Sequence, residues 1–383
     1  MNNSMKKRQS KQYVIEKSLE IFDGDEKKLC DALYKLNQLE QQKLSEQKSV
    51  KATEVNKNLV KVFDIYRLNE IKENTSTNER SLRAVLDKFD LCDDTGYREL
   101  KSITKKFVDG VEALKIKYPN CHKFLELISD FGALTLCRSG ANEYVLPPIL
   151  LTGPPGVGKT AVVNEIAALL DVTCHQIDYA TVTAGFIISG SSTVWSEGKT
   201  GCIVDMLRDG DAANSILILD EIDKVCGDQR YNPLGSLFTL LEKKMASKFV
   251  DEALNTPINA SNIIFIATAN DVTEISDPLR SRFIEIEIGA IEGEHHRVVT
   301  QSIYSSMLKD ERLEESFTPQ LSNPVFDALY DYSPREIKLM LSCAISKAAR
   351  RCGEENQVKV STSDFTMLEN NSRTHHNPIG FIW

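Results

Sequence analysis

The stretch that most narrows what this chain can become is Gly153 to Thr160, GPPGVGKT, set between the apolar run PILLT and the run AVVNEIAALL. An apolar run, a glycine-rich stretch and then residues at helical spacing predict a buried strand, a tight loop and a helix in succession. The spacing Gly-x-x-x-x-Gly-Lys-Thr lets several backbone N–H groups turn inward at a helix N-terminus, where they can hold phosphate. On this reading Gly153, Pro154, Pro155, Gly156, Val157, Gly158 and Ala161 form the loop around a nucleotide. Lys159 reaches the β- and γ-phosphates, and the Thr160 hydroxyl ligates Mg2+.

The triplet Gly-Lys-Thr occurs again forty residues later, in SGSSTVWSEGKTG, Ser189 to Gly201. This copy fails the same test. Thr193 stands where the first glycine belongs, and Trp195-Ser196-Glu197 precedes the triplet in place of an apolar strand. Two readings of the segment stay open: a channel-facing loop with Val194 and Trp195 at its tip, or a turn whose tryptophan packs in the core.

Around these motifs the chain divides by pattern. Residues 1–116 read as a helical region, with stripes at Leu29, Leu33, Leu36 and Leu39 and at Val55, Leu59, Val62, Phe63 and Tyr66. Such stripes serve either core packing or a partner-binding face. From residue 117 to 288, short β-type runs (PPILLTG, SILILDE, NIIFIATAN) alternate with helical ones, which predicts a parallel sheet flanked by helices. Residues 289–365 return to helical spacing and predict a small lid domain; 366–383 read as a polar tail.

Further candidates follow at the ends of the predicted strands. Asp220 and Glu221 close ILILDEID, where Asp220 can join the Mg2+ shell and Glu221 can polarise an attacking water. Fifty residues on, Asn270 ends IIFIATAN and can hydrogen-bond that water or the γ-phosphate. Arg280 and Arg282 lie just beyond, in DPLRSRF, where an arginine can serve a neighbouring subunit's phosphate. Arg335 opens a lid helix and can touch the phosphates from that side.

The ordered set Lys159, Asp220/Glu221, Asn270, Arg282 and Arg335 resembles the AAA+ ATPases. Within them, LDEIDKV, NPLGSLFTLLEKKMASKFVDEALNTPINASNIIFIATAN, ISDPLRSRF and VKVSTSDF are most similar to the ATPase module of the Lon family, over about residues 117–365. The resemblance implies ATP and Mg2+ at Lys159 and Thr160, a catalytic base at Glu221 and a first sensor at Asn270. It further implies a trans-acting finger at Arg282, with Arg280 serving either the finger or the subunit interface, and a second sensor at Arg335. The implied fold is a P-loop α/β domain with a small helical lid and an N-terminal helical region. A finger acting in trans implies a ring, expected to be a hexamer.

Lon carries a Ser-Lys peptidase domain after the lid, whereas this sequence stops near where that domain would begin and shows no substitute nucleophile site. Proteolysis would therefore need a separate partner, and the expected work is remodelling of a protein client. Two alternatives stand beside it: a DNA-associated motor or loader, and a nucleotide-gated assembly switch, for example in host defence. Charge counts against DNA. Residues 1–120 carry 24 Lys/Arg against 20 Asp/Glu, and the remainder 22 against 35, so the body is acidic and poorly suited to gripping a phosphate backbone. Nine cysteines without a Cys-x-x-Cys pair point to reduced thiols and a cytoplasmic setting. No membrane span is expected, and the basic start MNNSMKKRQSKQ leads into no apolar segment. The pairs His295-His296 and His375-His376 read as surface residues, not metal ligands.

Overall fold

Isoleucine- and leucine-rich runs of four to six residues can be buried on both faces only if helices cover a parallel sheet from both sides, and the chain folds that way. The computed structural model describes residues 58–76, 79–89, 94–138, 146–182, 186–193, 198–225, 233–352 and 357–365. The stripe at Leu29–Leu39, Val55, the Val194-Trp195 tip, His375-His376 and the polar tail lie outside the described residues.

Apart from single helical turns, the elements run as follows. Strand β1 (Leu59–Lys61) and strand β2 (Tyr97–Glu99) bracket helices α1 (Ile65–Asn74) and α2 (Arg80–Leu86). Helices α3 (Lys105–Lys117) and α4 (His122–Cys137) precede β3 (Ile149–Thr152), α5 (Lys159–Leu170), β4 (Cys174–Asp178), α6 (Cys202–Asp209) and β5 (Ile216–Asp220). After the short ribbon β6 (Phe249–Val250) and β7 (Pro257–Ile258) come β8 (Ile264–Ala269) and β9 (Ile284–Glu287). The lid is α7 (Glu294–Asp310), α8 (Asn323–Leu329) and α9 (Pro334–Cys352).

The main sheet has the order β4-β5-β8-β3-β9 with every pairing parallel. Alternation along the strands divides the core in two. Leu150, Leu217, Leu219, Phe265, Ala267 and Ala269 face one cluster, while Ile149, Leu151, Ile216, Ile218, Ile264 and Ile266 face the other. Helices α3, α4 and α5 cover the second face through Phe107, Val111, Phe124, Ile128, Val163 and Ile166. The first face is covered by α6 and by the earliest described residues, Val62, Phe63, Leu68 and Val85 among them.

Described residues before 117 thus pack on both faces of the sheet. One part of the helical expectation there is corrected. Leu59 to Phe63, placed in a helical stripe by spacing, begin as strand β1, paired antiparallel with β2 through Leu59↔Glu99 and Lys61↔Tyr97. Asp64 then caps α1 by accepting from the Arg67 N–H, so helix begins only after it. The partner strand lies about forty residues away, and short-range periodicity cannot register it. The lid has its own core of Tyr304, Phe317, Val325, Leu329, Leu341 and Ala348. His296 belongs to this interior: it is 2% exposed, with Nε2 3.2 Å from the Tyr332 carbonyl and Nδ1 3.4 Å from Thr300 Oγ1. The surface expectation fails for it because α7 turns that position inward against Tyr330 and the Tyr332 carbonyl.

The second Gly-Lys-Thr becomes a clamp. Ser191 donates its N–H to the Lys199 carbonyl at 2.8 Å, and Ser191 Oγ accepts the Lys199 N–H at 3.0 Å. The base of this loop is closed by Asp251, fully buried, which accepts N–H groups from Gly201 (2.8 Å), Ala253 (2.9 Å) and Leu254 (3.2 Å). Gly201 is required there, since a Cβ would sit 2.0 Å from the Ile188 carbonyl oxygen. Lys199 and Thr200 do not line the cleft of the phosphate loop; Thr200 Oγ1 donates to Asp205 at 2.7 Å. Asp251→Ala would strand three buried donors, so urea denaturation should show a loss of about 3 kcal/mol. A loss below about 1 kcal/mol would mean that the clamp is not closed by this carboxylate.

Candidate functional site

The phosphate loop begins where β3 ends. Gly153 adopts φ 144°, and a Cβ on it would lie 2.1 Å from the Ile288 carbonyl oxygen, so no other residue fits the turn. Gly158, at φ 101°, starts α5 and leaves the helix N-terminus open toward the loop. Lys159 follows, only 8% exposed. Its ammonium donates to the carbonyls of Gly153 (2.6 Å) and Pro154 (3.0 Å) and to Asn270 Oδ1 (2.9 Å). These three acceptors match the three donors an ammonium owns. Burial pulls the Lys159 pKa below its ordinary value, while Asp220, Asp223 and Glu221 push it back up. The loop therefore holds a desolvated positive charge beside a cradle of backbone.

The acidic side of the site is set by the end of β5. Asp220 Oδ1 is 3.4 Å from Thr160 Oγ1, and Oδ2 accepts from Gln176 Nε2 at 2.6 Å. Glu221 has left-handed backbone, φ 53° and ψ 47°, which costs a non-glycine residue roughly 1–2 kcal/mol. Its N–H donates to Thr268 Oγ1 at 3.0 Å, and a bond of that kind, about 1 kcal/mol, offsets much of the cost. Thr268 in turn donates its hydroxyl proton to Asp220 Oδ1. Asp223 accepts the Asp271 N–H at 3.1 Å and pairs with Lys224 at 2.9 Å. Burial would raise the Asp223 pKa, but Lys224 and the backbone N–H groups of Asn270 and Asp271 outweigh it and hold the carboxyl below its usual range.

These groups open on one cleft of about 710 Å3. Pro155, Gly156, Val157, Gly158, Thr160 and Ala161 line it together with Lys159, Asp220, Glu221 and Asn270. The lid supplies the facing wall, including Arg335, Lys338, Val299 and Ile303, and the Lys117–Asn120 segment closes one end. Arg335 lies close to the loop: a Cβ on Gly156 would stand 3.2 Å from Arg335 Cβ. Gly153 and Pro154 stand behind the loop and act through their carbonyls.

Arg282 is not brought to this cleft. It pairs with Glu242 at 2.9 Å, donates to the Pro278 carbonyl at 2.6 Å and lies 5.0 Å from the centre of the Phe238 ring. Arg280 forms a two-pronged bond with Glu285, 2.9 Å on each arm.

Several residues of the site had no motif to announce them. Asn120 donates from Nδ2 to the Val157 and Gly289 carbonyls, tying the loop to the strand that leads into the lid. Gln176 reaches Asp220 only because β4 pairs with β5. Thr268 did leave a trace in the sequence. It is the one hydroxyl in an otherwise apolar strand, two positions before Asn270, and period two puts both on one face.

A pair of hard oxygen donors, Thr160 Oγ1 and Asp220, suits Mg2+, which usually takes one or two carboxylates and completes its shell with phosphate and water. Among the described residues no group of three or more His, Cys, Asp or Glu could hold a metal alone, so such an ion would depend on the phosphates. Loop, acids and strand-end amide together define a P-loop nucleotide-binding protein with the AAA+ fold.

Comparison with known proteins agrees. Residues 149–290 match the family described as ATPase family associated with various cellular activities (AAA). The chain resembles, within that class, the ATPase module of Lon proteases. It is 29% identical over 246 residues to the Lon protease of Desulforamulus reducens, covering 62% of this chain and 30% of that protein. It is 35% identical over 149 residues to the peroxisomal Lon protease homolog 2 of Pichia angusta, covering 39% and 16%. The chain thus spans about 30% of the length of the bacterial Lon proteases it matches. A solved structure of a Thermotoga maritima RuvB mutant has a TM-score of 0.41 at 16% identity, over 63% of this chain and 68% of that one.

Because Lys159 alone supplies a buried positive charge inside the loop, Lys159→Ala should weaken ATP binding at least about tenfold, or 1.4 kcal/mol. Calorimetric titration would check this. Unchanged affinity would remove the loop from the nucleotide site.

Proposed function

We propose that this chain hydrolyses ATP, works as a ring of subunits, most simply a hexamer, and uses the cycle to remodel or unfold a protein client in the cytoplasm. The observation that carries the reading is the convergence of Lys159, Thr160, Asp220, Glu221, Asn270 and Arg335 on one cleft that Arg282, paired with Glu242, does not line. An arginine that does not line its own cleft suits a role at the phosphates of a neighbouring subunit, and a head-to-tail contact that closes makes a ring.

In this reading the loop N–H groups and Lys159 bind the β- and γ-phosphates and offset their charge. Thr160 and Asp220 would hold Mg2+, which when bound would shield the phosphate oxygens. Glu221 accepts a proton from water as the water oxygen bonds to the γ-phosphorus and the bond to the β-phosphate oxygen breaks. Asn270 orients that water or the γ-phosphate. Its bond to Lys159 supports that role. Arg335, at the start of α9, transmits the change at the phosphates to the lid, and Arg282 of the adjacent subunit stabilises charge on the transferred group. Similarity to Lon supports a protein client, handed on to a separate effector or peptidase.

Two variants test the assignment. Glu221→Gln should bind ATP normally and lower kcat by about 10²–10⁴-fold; turnover at the wild-type rate would sink the base assignment. Arg282→Ala should lose turnover by about 10³-fold or more with ATP affinity retained. Mixing it with Lys159→Ala subunits should restore part of the activity, because each mutant keeps what the other lacks. No recovery in the mixture would count against a finger shared between subunits.

A further inference from the structure

Strand β8 contributes one buried hydroxyl to an otherwise hydrocarbon environment. Thr268 is 1% exposed, and the other five residues of the strand are Ile264, Phe265, Ile266, Ala267 and Ala269. A hydroxyl in such a place is tolerated only if its hydrogen bonds are made. Both are made, and both go to the acidic turn: the oxygen accepts from the Glu221 N–H at 3.0 Å, and the proton goes to the Asp220 carboxylate. The direction of the relay is settled by chemistry. A backbone N–H can only donate and an ionised carboxylate can only accept, so the hydroxyl between them has one orientation.

The consequence for Glu221 is specific. Its side chain leaves a backbone held in the left-handed region at φ 53°, a conformation that any relaxation of the turn would abandon toward ordinary geometry. The bond from Thr268 opposes that relaxation at the residue itself. A second tie runs from the same turn to the same strand end, where the buried Asp223 accepts the Asp271 N–H at 3.1 Å. The two ties bracket Asn270, one on each side. Asn270 and Glu221 are therefore referenced to one another and not only to the sheet.

We infer that Thr268 is a positioning residue for hydrolysis, one that locks Glu221 in its left-handed backbone and registers it against Asn270. The inference rests on the reading of Glu221 as the base. Thr268 touches neither nucleotide nor water in this assignment; it acts through the two acids. Its hydroxyl also turns Asp220 Oδ1 toward Thr160, which lies 3.4 Å from that oxygen, but Gln176 holds the other oxygen independently at 2.6 Å. Removal of the hydroxyl should therefore disturb Glu221 more than it disturbs binding.

The test compares Thr268→Val, which keeps the shape and deletes the hydroxyl, with Thr268→Ser, which keeps the hydroxyl. Steady-state ATPase and the dissociation constant of mant-ATP with Mg2+ are measured for the full chain and both variants. Expected is a fall in kcat of at least about tenfold for Thr268→Val, part of what a general base contributes, with mant-ATP affinity within about threefold of wild type. Thr268→Ser should turn over within about threefold of wild type. Wild-type kcat in Thr268→Val, equal losses in both variants, or loss of mant-ATP binding in Thr268→Val would each overturn the inference. The last covers a variant that does not fold, since a role confined to the turn leaves the loop able to bind. A wild-type chain with no ATPase would sink the proposed function itself, whereas active wild type with indifferent Thr268→Val sinks only this residue's role.

Discussion

Parallel pairing of β3 with both β8 and β9 is the constraint on which the rest of the molecule depends. It sets Leu151 beside Thr268 and Ile286, and Thr152 beside Ala269 and Glu287, so that all the strand ends point the same way. In a parallel sheet every carboxyl end lies on one edge, and whatever follows each strand gathers there. The phosphate loop after β3, the acidic turn after β5 and the amide after β8 meet for this reason.

Charge is the second organising problem. Lys159 is buried with its ammonium surrounded by carbonyls and an amide oxygen, and desolvation pulls its pKa down further than three nearby carboxylates push it up. A lysine in such a position is costly unless something anionic is to share the space. The carboxylates are kept from that space by their own ties, Asp220 to Thr268 and Gln176, and Asp223 to Lys224 and the Asp271 N–H. The result is a positive group and a negative group lining one cleft, an arrangement suited to a polyphosphate and its cation.

The segment Ser189 to Gly201 shows how far a motif depends on its surroundings. Its triplet matches that of the phosphate loop, yet the preceding helical turn and the Asp251 carboxylate make it the base of a loop closed by its own backbone. A glycine serves in both copies, and for different reasons. Gly153 clears the Ile288 carbonyl so the chain can turn away from the sheet, while Gly201 clears the Ile188 carbonyl so a loop can be pinned shut. The spacing of Thr193 to Gly198 already separated the two, because a phosphate loop needs its first glycine at the end of a strand.

By itself the sequence determined the α/β class, the phosphate loop, the acidic turn, Asn270 and the lid, because each is announced by neighbours within about fifteen residues: an apolar run, a glycine spacing, a helical stripe. It also picked out Arg282, twelve residues after Asn270. Only the tertiary structure decided that Leu59 to Lys61 are a strand, since β2 pairs from about forty residues away, and that His296 is interior, since the lid folds over it. Gln176, Asn120 and the partnership of Thr268 with Glu221 were likewise settled by pairings across the sheet. Hydrogen bonds between residues tens of positions apart leave no periodic mark on the chain, and they are what hold the site's acids in place.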